Sequence, residues 1–262
     1  MATIAIHGAA GRMGLRLVAL SREESGLELA AAIDRSGHPS LGKDVGLLAG
    51  GEPISVTLSD RLEAKVDVLI DFTVPAACRA ALACCVETGS NMIIGTTGLG
   101  DDDHRAIDEA GRSIAVLQAP NMSLGVNLLF ALVGDVAHRL GDDYDIEIVE
   151  THHRHKQDAP SGTALGLADS ICAATGKDLH HTLVHGRHGD SPRRRGEIGM
   201  HALRSGDVVG RHTVSFGALG EEVQLTHIAS TRDVFARGAL RAAAWLAGKP
   251  ASRYHMSDVL GL

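Results

Sequence analysis

The residues best suited to chemistry lie in one short segment, residues 150–165, which reads ETHHRHKQDAPSGTAL. Three histidines, one arginine and one lysine fall between His152 and Lys156. Lysine and arginine supply fixed positive charge, and histidine titrates near neutral pH and can exchange a proton. The step Pro-Ser-Gly-Thr at 160–163 opens a predicted helix, whose first N–H groups and dipole favour a carboxylate or phosphate. The segment therefore predicts a pocket that holds an anionic substrate and hands it a proton.

A glycine-rich turn, GAAGRMG at residues 8–14, follows the first predicted strand and opens a helix. Its G-x-x-G-x-x-G form is looser than the G-x-G-x-x-G of dinucleotide-binding turns. The mechanics are the same, because the glycines permit a tight turn, close approach of a pyrophosphate and close packing of helix on strand. The position of this turn favours dinucleotide binding over a plain structural turn.

The pair Asp34-Arg35 ends the second predicted strand, where an acidic residue usually binds the ribose 2′-hydroxyl of the cofactor. Asp34 favours the free hydroxyl of NAD, whereas Arg35 is able to stack on adenine or pair with the 2′-phosphate of NADP. The pair predicts that both cofactors are tolerated, and the alternative is a solvated turn that ends a strand. Two further loops, GTTG at 95–98 and APNMS at 119–123, follow predicted strands at the edge where open α/β sheets bind ligands.

The elements that must position these residues alternate between strand and helix over the first 120 residues. The predicted strands are 3–7, 27–33, 66–72, 91–95 and 114–117, and the predicted helices are 12–20, 75–87 and 101–111, the last capped by 101–103. Repeated βα units with short connections predict an α/β fold with a doubly wound parallel sheet.

The pattern changes after Pro120. A long helix is predicted at 123–140, a strand at 145–149 and a helix at 161–175. Residues 182–229 alternate in a way that predicts an open mixed sheet with one face covered by helices, and 234–247 returns to a helix.

The composition is ordinary for a soluble globular chain of 262 residues, with 44% apolar and 22% charged residues. A net charge of −7 argues against non-specific nucleic-acid binding. The N-terminus lacks the features of a signal peptide, and we expect no apolar run near the ~20 residues that span a bilayer. These observations predict a soluble cytoplasmic protein with no nucleic-acid or membrane partner.

Neither cysteine nor histidine spacing predicts a metal site. The cysteines are Cys78, Cys84, Cys85 and Cys172. They lack metal-ligand spacing, and reduced thiols are expected. For a site built on His152, His153 and His155, no nearby cysteine or carboxylate completes a convincing ligand set, so no bound metal is expected.

The motifs GAAGRMG, GTTG, APNMS and above all ETHHRHKQDAPSGTAL resemble the 4-hydroxy-tetrahydrodipicolinate reductase (dihydrodipicolinate reductase) family. The resemblance continues through GDVVGRHTVSFG, LTHIASTRDVFARGALRAAAWL and the closing DVL. It implies a Rossmann-like dinucleotide-binding domain at 1–122 and 234–262, a substrate-binding and tetramerisation domain at 123–233, and a homotetramer. It also implies hydride delivery from NADH or NADPH to a cyclic dicarboxylate, giving tetrahydrodipicolinate with loss of water, in the diaminopimelate route to lysine.

The resemblance also implies roles for individual residues. His152 matches the family's proton donor/acceptor, Lys156 its second proton donor and His153 a substrate ligand. Gly162 and Thr163 match the turn that binds a substrate carboxylate. The positions that match cofactor-binding residues are Gly8, Ala9, Ala10, Gly11, Arg12, Met13, Asp34, Arg35, Gly95, Thr96, Thr97, Ala119, Pro120, Asn121 and Met122.

Several points stay open at the level of sequence. Asp34 stands where a longer glutamate is expected, which leaves the preference between NADH and NADPH undecided. Arg193 to Arg195 either draw in an acidic ligand or form a solvated loop, and His155 and Arg154 have no assigned role. The rival functions are another imine or amino-acid dehydrogenase on the same scaffold and an NAD(H)-binding redox sensor. A semialdehyde dehydrogenase would need a cysteine on a loop of the crevice, which the sequence lacks.

Overall fold

The computed structural model describes all 262 residues, which form two compact units. Unit 1 comprises Met1–Ser123 and Asp233–Leu262, and unit 2 comprises Leu124–Arg232. In chain order the elements up to residue 118 are β1 (Ala2–His7), α1 (Arg12–Ser21), β2 (Leu27–Ile33), α2 (Val45–Leu48), β3 (Leu58–Ser59), β4 (Val68–Asp71), α3 (Pro75–Thr88), β5 (Asn91–Ile94), α4 (Asp101–Ala110) and β6 (Ala115–Gln118).

The remaining elements begin with the helix of unit 2 that follows Ser123. They are α5 (Leu124–Leu140), β7 (Asp145–His152), α6 (Gly162–Thr175), α7 (Leu179–Thr182), β8 (Leu183–His185), β9 (Ile198–Arg204), β10 (Gly210–Ala218), β11 (Glu221–Ala229), α8 (Asp233–Leu246), β12 (Ser252–Tyr254) and α9 (Met256–Leu260). The short elements α2, β3, α7, β12 and α9 were not predicted, because two to five residues are too few for a periodic signal.

Unit 1 is a seven-stranded sheet in the order β12-β6-β5-β4-β1-β2-β3, with every neighbouring pair parallel. The chain builds outward from β1 to β3 and then crosses to β4 on the other side of β1. The carboxyl ends of β1 and β4 therefore meet at the switch point of the sheet, where His7 and Asp71 are register partners. The predicted Rossmann-like doubly wound sheet is confirmed.

Local sequence explains most of the elements of unit 1. All four residues of β4 are buried, as expected of a central parallel strand covered on both faces. Helix α3 begins at Pro75, whose fixed φ suits the first helical turn, and ends before Gly89 in the left-handed conformation. Helix α4 differs from prediction, because its N-cap is Gly100 and the aspartates lie in its first turn.

Unit 2 is a five-stranded mixed sheet in the order β11-β10-β7-β9-β8, as predicted. Alternate residues of β7 point to opposite faces, and Ile146 and Ile148 pack against α5 and α6 in one core cluster. The odd-numbered residues of β7 lie on the other face of the sheet. They are not part of the core cluster that packs against α5 and α6. Strand β7 extends three residues beyond the predicted end at Val149 and therefore includes His152.

One expectation about apolar runs is wrong. The segment 124–143, which contains α5, is long and apolar enough to cross a membrane by length and composition alone. Leu129, Val133 and Ala137 of this helix are buried in the core cluster of unit 2. Only 28% of its most apolar 18-residue window is buried, and a core helix of a globular domain meets the same criterion of length and composition.

Candidate active site

His152 lies at the end of β7 on the helix-covered face of the sheet of unit 2 and is only 9% exposed. Glu150 precedes it by two residues, so the period of the strand points both side chains to the same face. The Glu150 carboxylate is fully buried, and its Oε2 lies 2.5 Å from Nδ1 of His152. The end of β7 thus presents a buried carboxylate–imidazole pair.

Neighbouring strands complete a polar cluster around Glu150. The sheet register places His212 of β10 opposite Glu150 and Arg204 of β9 opposite His152. Nη1 of Arg204 donates to Oε2 of Glu150 at 2.9 Å, and the Ser161 backbone N–H donates to Oε1 at 3.0 Å. We call Glu150, His152, Ser161, Arg204 and His212 the Glu150 cluster.

His212 and Ser161 form the second half of this cluster. Nε2 of His212 lies 3.1 Å from Oγ of Ser161, and the His152 and His212 rings meet edge to face with centroids 5.1 Å apart. Ser161 is the N-cap of α6, and its Oγ accepts from the Ala164 N–H at 3.1 Å. Ser161 is therefore joined to the sheet by two hydrogen bonds, one from its backbone N–H to Glu150 and one between its Oγ and His212.

Burial and charge determine the protonation of the cluster. Burial lowers the pKa of His212 to about 4, so this ring is neutral at neutral pH. Burial also lowers the pKa of His152, although the nearby Glu150 carboxylate opposes that effect. Burial raises the pKa of Glu150, but the hydrogen bonds from Arg204 and His152 outweigh it and hold the pKa below its usual value. Glu150 is therefore an anion at neutral pH.

The loop after β7 carries the other predicted substrate residues. Nζ of Lys156 lies 2.8 Å from a carboxylate oxygen of Asp158, and only about a fifth of the lysine side chain is exposed. Nδ1 of His153 is buried and makes no hydrogen bond within the chain. Arg154 and His155 are exposed, and the His153 and His155 rings lie 6.2 Å apart.

The N-terminus of α6 contains Gly162 and Thr163, as the sequence predicts. Residue 162 has open space where a Cβ would be placed. This helix start and His152 belong to one site, because Ser161 is hydrogen-bonded to Glu150, which also contacts His152.

The glycine turn of unit 1 packs so closely that no side chain fits at Gly8 or Gly14. A Cβ at Gly14 would lie 2.1 Å from the Gly8 carbonyl oxygen, and Gly8 itself has a φ of +77°. Oδ2 of Asp34 accepts from the Ala10 N–H at 3.0 Å, and its other oxygen accepts from the Arg35 N–H. This cradle of bare backbone at the switch point, with an adjacent carboxylate, fits the diphosphate and ribose of a dinucleotide.

The predicted nicotinamide-side loops also lie at the carboxyl ends of strands in unit 1. Thr96 is buried, and its hydroxyl donates to the Asp71 carboxylate at 2.6 Å, while Thr97 is exposed. Nδ1 of His7 lies 2.7 Å from the same carboxylate. Burial raises the pKa of Asp71, but hydrogen bonds from His7, Thr96 and Thr73 outweigh it and lower the pKa. The Thr96 side chain thus holds its loop to β4.

Close packing also shapes the surroundings of both loops. A Cβ at Gly95 would lie 2.4 Å from the Phe72 ring. In the second loop Ala119 and Met122 are buried, Asn121 is half-buried and Pro120 is exposed. The Met122 carbonyl lies against Gly238 of α8, where a Cβ would stand 1.8 Å from the oxygen.

Sequence reasoning missed Glu150, Arg204, His212 and the role of Ser161. Glu150 could have been found, because a strand extended through His152 places both residues on one face. Arg204 and His212 carry no local signal, since they reach the site only through pairing of distant strands.

Arg193 is not simply solvated. Its Nε lies 2.8 Å from Asp145 and its Nη2 donates to the Glu197 carbonyl at 2.7 Å, whereas Arg194 and Arg195 are exposed.

All four cysteines are free thiols, and burial raises the pKa of Cys85 to about 12. Burial also raises the pKa of Cys78 and of Cys172, so these three thiols are not suited to act as nucleophiles.

Two family models match the chain. The model described as dihydrodipicolinate reductase, N-terminus, covers residues 2–122, and the one described as dihydrodipicolinate reductase, C-terminus, covers residues 125–260.

Curated relatives match the chain along its whole length. A 4-hydroxy-tetrahydrodipicolinate reductase of Anaeromyxobacter dehalogenans strain 2CP-1 is 48% identical over all of this chain and 98% of the relative. The enzyme of the same name from Alkalilimnicola ehrlichii is 49% identical over 99% of this chain and 98% of its own length.

Solved structures share the fold. A dipicolinate-bound dihydrodipicolinate reductase from Paenisporosarcina sp. TG-14 matches with a TM-score of 0.76 and 23% identity over 97% of both chains. An amine dehydrogenase from Mycobacterium smegmatis matches with a TM-score of 0.57 and 13% identity, covering 97% of this chain and 94% of its own.

Proposed function

The chain belongs to the dihydrodipicolinate reductase family, and from that membership we propose how its residues act in the reduction of 4-hydroxy-tetrahydrodipicolinate. The reaction gives tetrahydrodipicolinate with loss of water, in the diaminopimelate route to lysine. The observation that carries the proposal is full-length similarity to curated reductases at nearly half of all positions. Bound NADH or NADPH supplies the hydride. Residues 8–13, Asp34, Arg35, 95–97 and 119–122 hold that cofactor.

The substrate is a cyclic dicarboxylate, and the N-terminus of α6 binds one of its carboxylates. Backbone N–H groups at Gly162 and Thr163, together with the helix dipole, suit this anion. Lys156 and His153 lie on the loop that precedes α6 and add donors and positive charge. A related enzyme solved with dipicolinate, itself a planar ring dicarboxylate, supports this class of ligand.

His152 exchanges the proton that the reaction needs. Loss of water from the substrate leaves a ring with a conjugated imine, and hydride addition to the ring carbon conjugated with the imine moves electron density toward nitrogen and the adjacent ring carbon. One proton must then reach the reduced ring, and the imidazolium form of His152 delivers it from Nε2, with Lys156 as the second donor. Assistance of this kind typically contributes about 10²–10⁴-fold to the rate.

A coupled assay tests this function. The substrate is made in situ from pyruvate and aspartate semialdehyde by the preceding synthase, and cofactor absorbance is followed with NADH and NADPH separately. We expect oxidation only when the synthase is present, and the ratio of the two rates gives the cofactor preference set by Asp34-Arg35. Intact cofactor binding without oxidation would contradict the function and favour the redox sensor.

We further propose that the protein is a homotetramer in which the uncovered face of the sheet of unit 2 contacts a second copy. A row across this face contains Leu203, Thr151, Arg211 and Ile228 as register partners. Leu203 and Ile228 are 50% and 55% exposed, which is unusual for large apolar residues in strands.

Light scattering on the purified protein tests the assembly. Ile228→Glu should yield a smaller species, because a charge would be buried against the second copy. Leu219→Glu, in the turn between β10 and β11, is the matched exposed control and should leave the mass unchanged. A parent protein that is monomeric at all concentrations would contradict the tetramer.

A further inference from the structure

Glu150 is a fully buried carboxylate with a complete set of partners. Burying a charge is costly unless it is paired and hydrogen-bonded. Here Arg204 supplies the opposite charge, and Ser161 and His152 supply further bonds. Buried ion pairs often contribute no more stability than well-packed apolar residues that replace the whole pair, so the presence of this carboxylate points to a role in the chemistry of its neighbours.

The contact with His152 fixes which ring nitrogen carries a proton. An ionised carboxylate can only accept hydrogen bonds, so Nδ1 of His152 must be the N–H that donates to Oε2 of Glu150. The other nitrogen, Nε2, is left to exchange a proton. A Cβ at Gly210 would lie 3.2 Å from Nε2, so the absent side chain keeps this nitrogen uncrowded.

We propose that Glu150 is the positioning residue of the active site, which sets the tautomer and orientation of His152 and anchors the carboxylate-binding start of α6 through Ser161. The inference rests on the proposed function. One side chain thereby ties the proton donor to the substrate-binding turn, because its two oxygens contact the two parts separately.

The charges around His152 determine the direction in which its pKa would change if Glu150 were neutral. Glu150 on β7 favours the imidazolium, whereas Lys156 on the following loop and Arg204 on β9 disfavour it. His212 on β10 is the remaining titratable group in contact with the ring. Removing the Glu150 charge leaves only opposing influences, so the His152 pKa must fall.

The decisive variant is Glu150→Gln, which keeps the shape and, with its one carbonyl oxygen toward the Ser161 N–H, turns its NH2 group toward His152. We expect kcat to fall by about 10²-fold or more, with KM and cofactor affinity changed by no more than about threefold. The limb of the pH–rate profile that belongs to His152 should move to lower pH by about one unit or more. Glu147→Gln, on the opposite face of β7, should leave the pH profile in place.

A double variant separates positioning from a merely structural role. In a His152→Gln background, Glu150→Gln should change kcat by no more than about threefold, because the residue acts through the histidine. An undiminished further loss of about 10²-fold in that background would overturn the inference. Unaltered kcat and pH profile in the single variant would overturn it as well.

NMR of the parent protein tests the same proposal without any variant. Labelled histidine should show His152 in its Nδ1–H form at neutral pH, and an Nε2–H form would refute the assignment. This measurement needs neither turnover nor a folded variant. Absence of turnover in the parent would count against the proposed function alone, whereas the wrong tautomer would count against the role of Glu150 alone.

Discussion

Strand β7 carries two carboxylate–histidine–arginine clusters on its two faces. On the helix-covered face Glu150 contacts His152 and Arg204, and it is fully buried. On the other face Glu147 contacts His201 at 2.6 Å and also Arg193 and Arg187, and its side chain is 30% exposed.

The difference between the clusters shows that the role of a carboxylate–histidine–arginine group depends on its burial and not on residue type alone. Solvent competes for the exposed Glu147 pairs and screens their charges, so they are worth little individually. They connect the 187–197 loop to the sheet. In the Glu150 cluster the carboxylate is fully buried, so its hydrogen bonds keep it ionised and orient His152.

The largest difference between the two clusters is expected when the histidine of each is replaced by glutamine. We expect His152→Gln to lower kcat by about 10²–10⁴-fold with little change in KM, because a proton donor is lost and binding groups remain. His201→Gln should leave the pH dependence of kcat unchanged. Steady-state kinetics with the coupled assay checks both, and wild-type turnover in His152→Gln would remove that residue from the mechanism.

Acid should destabilise the buried cluster through His212. Its pKa in the folded protein, about 4, lies below the unfolded value of about 6.5, so the unfolded chain binds more protons between these values. The contribution of neutral His212 to the free energy of unfolding is fully present above about pH 6.5. It falls by about 3 kcal/mol as the pH decreases toward 4.

Urea unfolding at about pH 7 and about pH 4.5 measures this effect. The His212→Asn variant should lose less stability between these two conditions than the parent does. Equal losses in the two proteins would show that His212 is not the group responsible.

Crowding of His152 gives a smaller effect. Gly210→Ala places a Cβ 3.2 Å from Nε2, so the ring must move by a few tenths of an ångström. We expect kcat to fall by about tenfold, since small misplacements of a reacting group are costly. Gly217→Ala on the same strand has open space at the Cβ position and is the matched control. Comparable losses in both variants would point to a general strand effect.

The smallest change is expected on the other face. Glu147→Gln should reduce the free energy of unfolding by no more than about 1 kcal/mol at low salt, and less at high salt. Chemical denaturation at two ionic strengths measures it. A loss of several kcal/mol would show that Glu147 is as tightly coupled as Glu150.

Local sequence was sufficient for the parts of the fold that depend on neighbours in the chain. The turn 8–14 was predicted from glycine spacing, and a Cβ at Gly14 would indeed collide with backbone, while one at Gly8 would lie 2.8 Å from the Thr73 side chain. The helix predicted at 161–175, opened by the Pro-Ser-Gly-Thr step, begins at Gly162 in the structure. Predicted ends of strands were less accurate, since the β7 pattern weakens where polar residues of the site replace apolar ones.

The fold class, the family resemblance and the run of basic residues from His152 to Lys156 could therefore be predicted from sequence alone, because each depends on local periodicity or on adjacent residues. Only the tertiary structure decided that Arg204, 54 residues from Glu150, and His212 complete the cluster. Their approach depends on which strands pair and in which register, and a shift by one residue would turn their side chains to the opposite face of the sheet. Burial follows from the same pairing, and burial is what turns an ordinary glutamate and histidine into a pair with determined protonation.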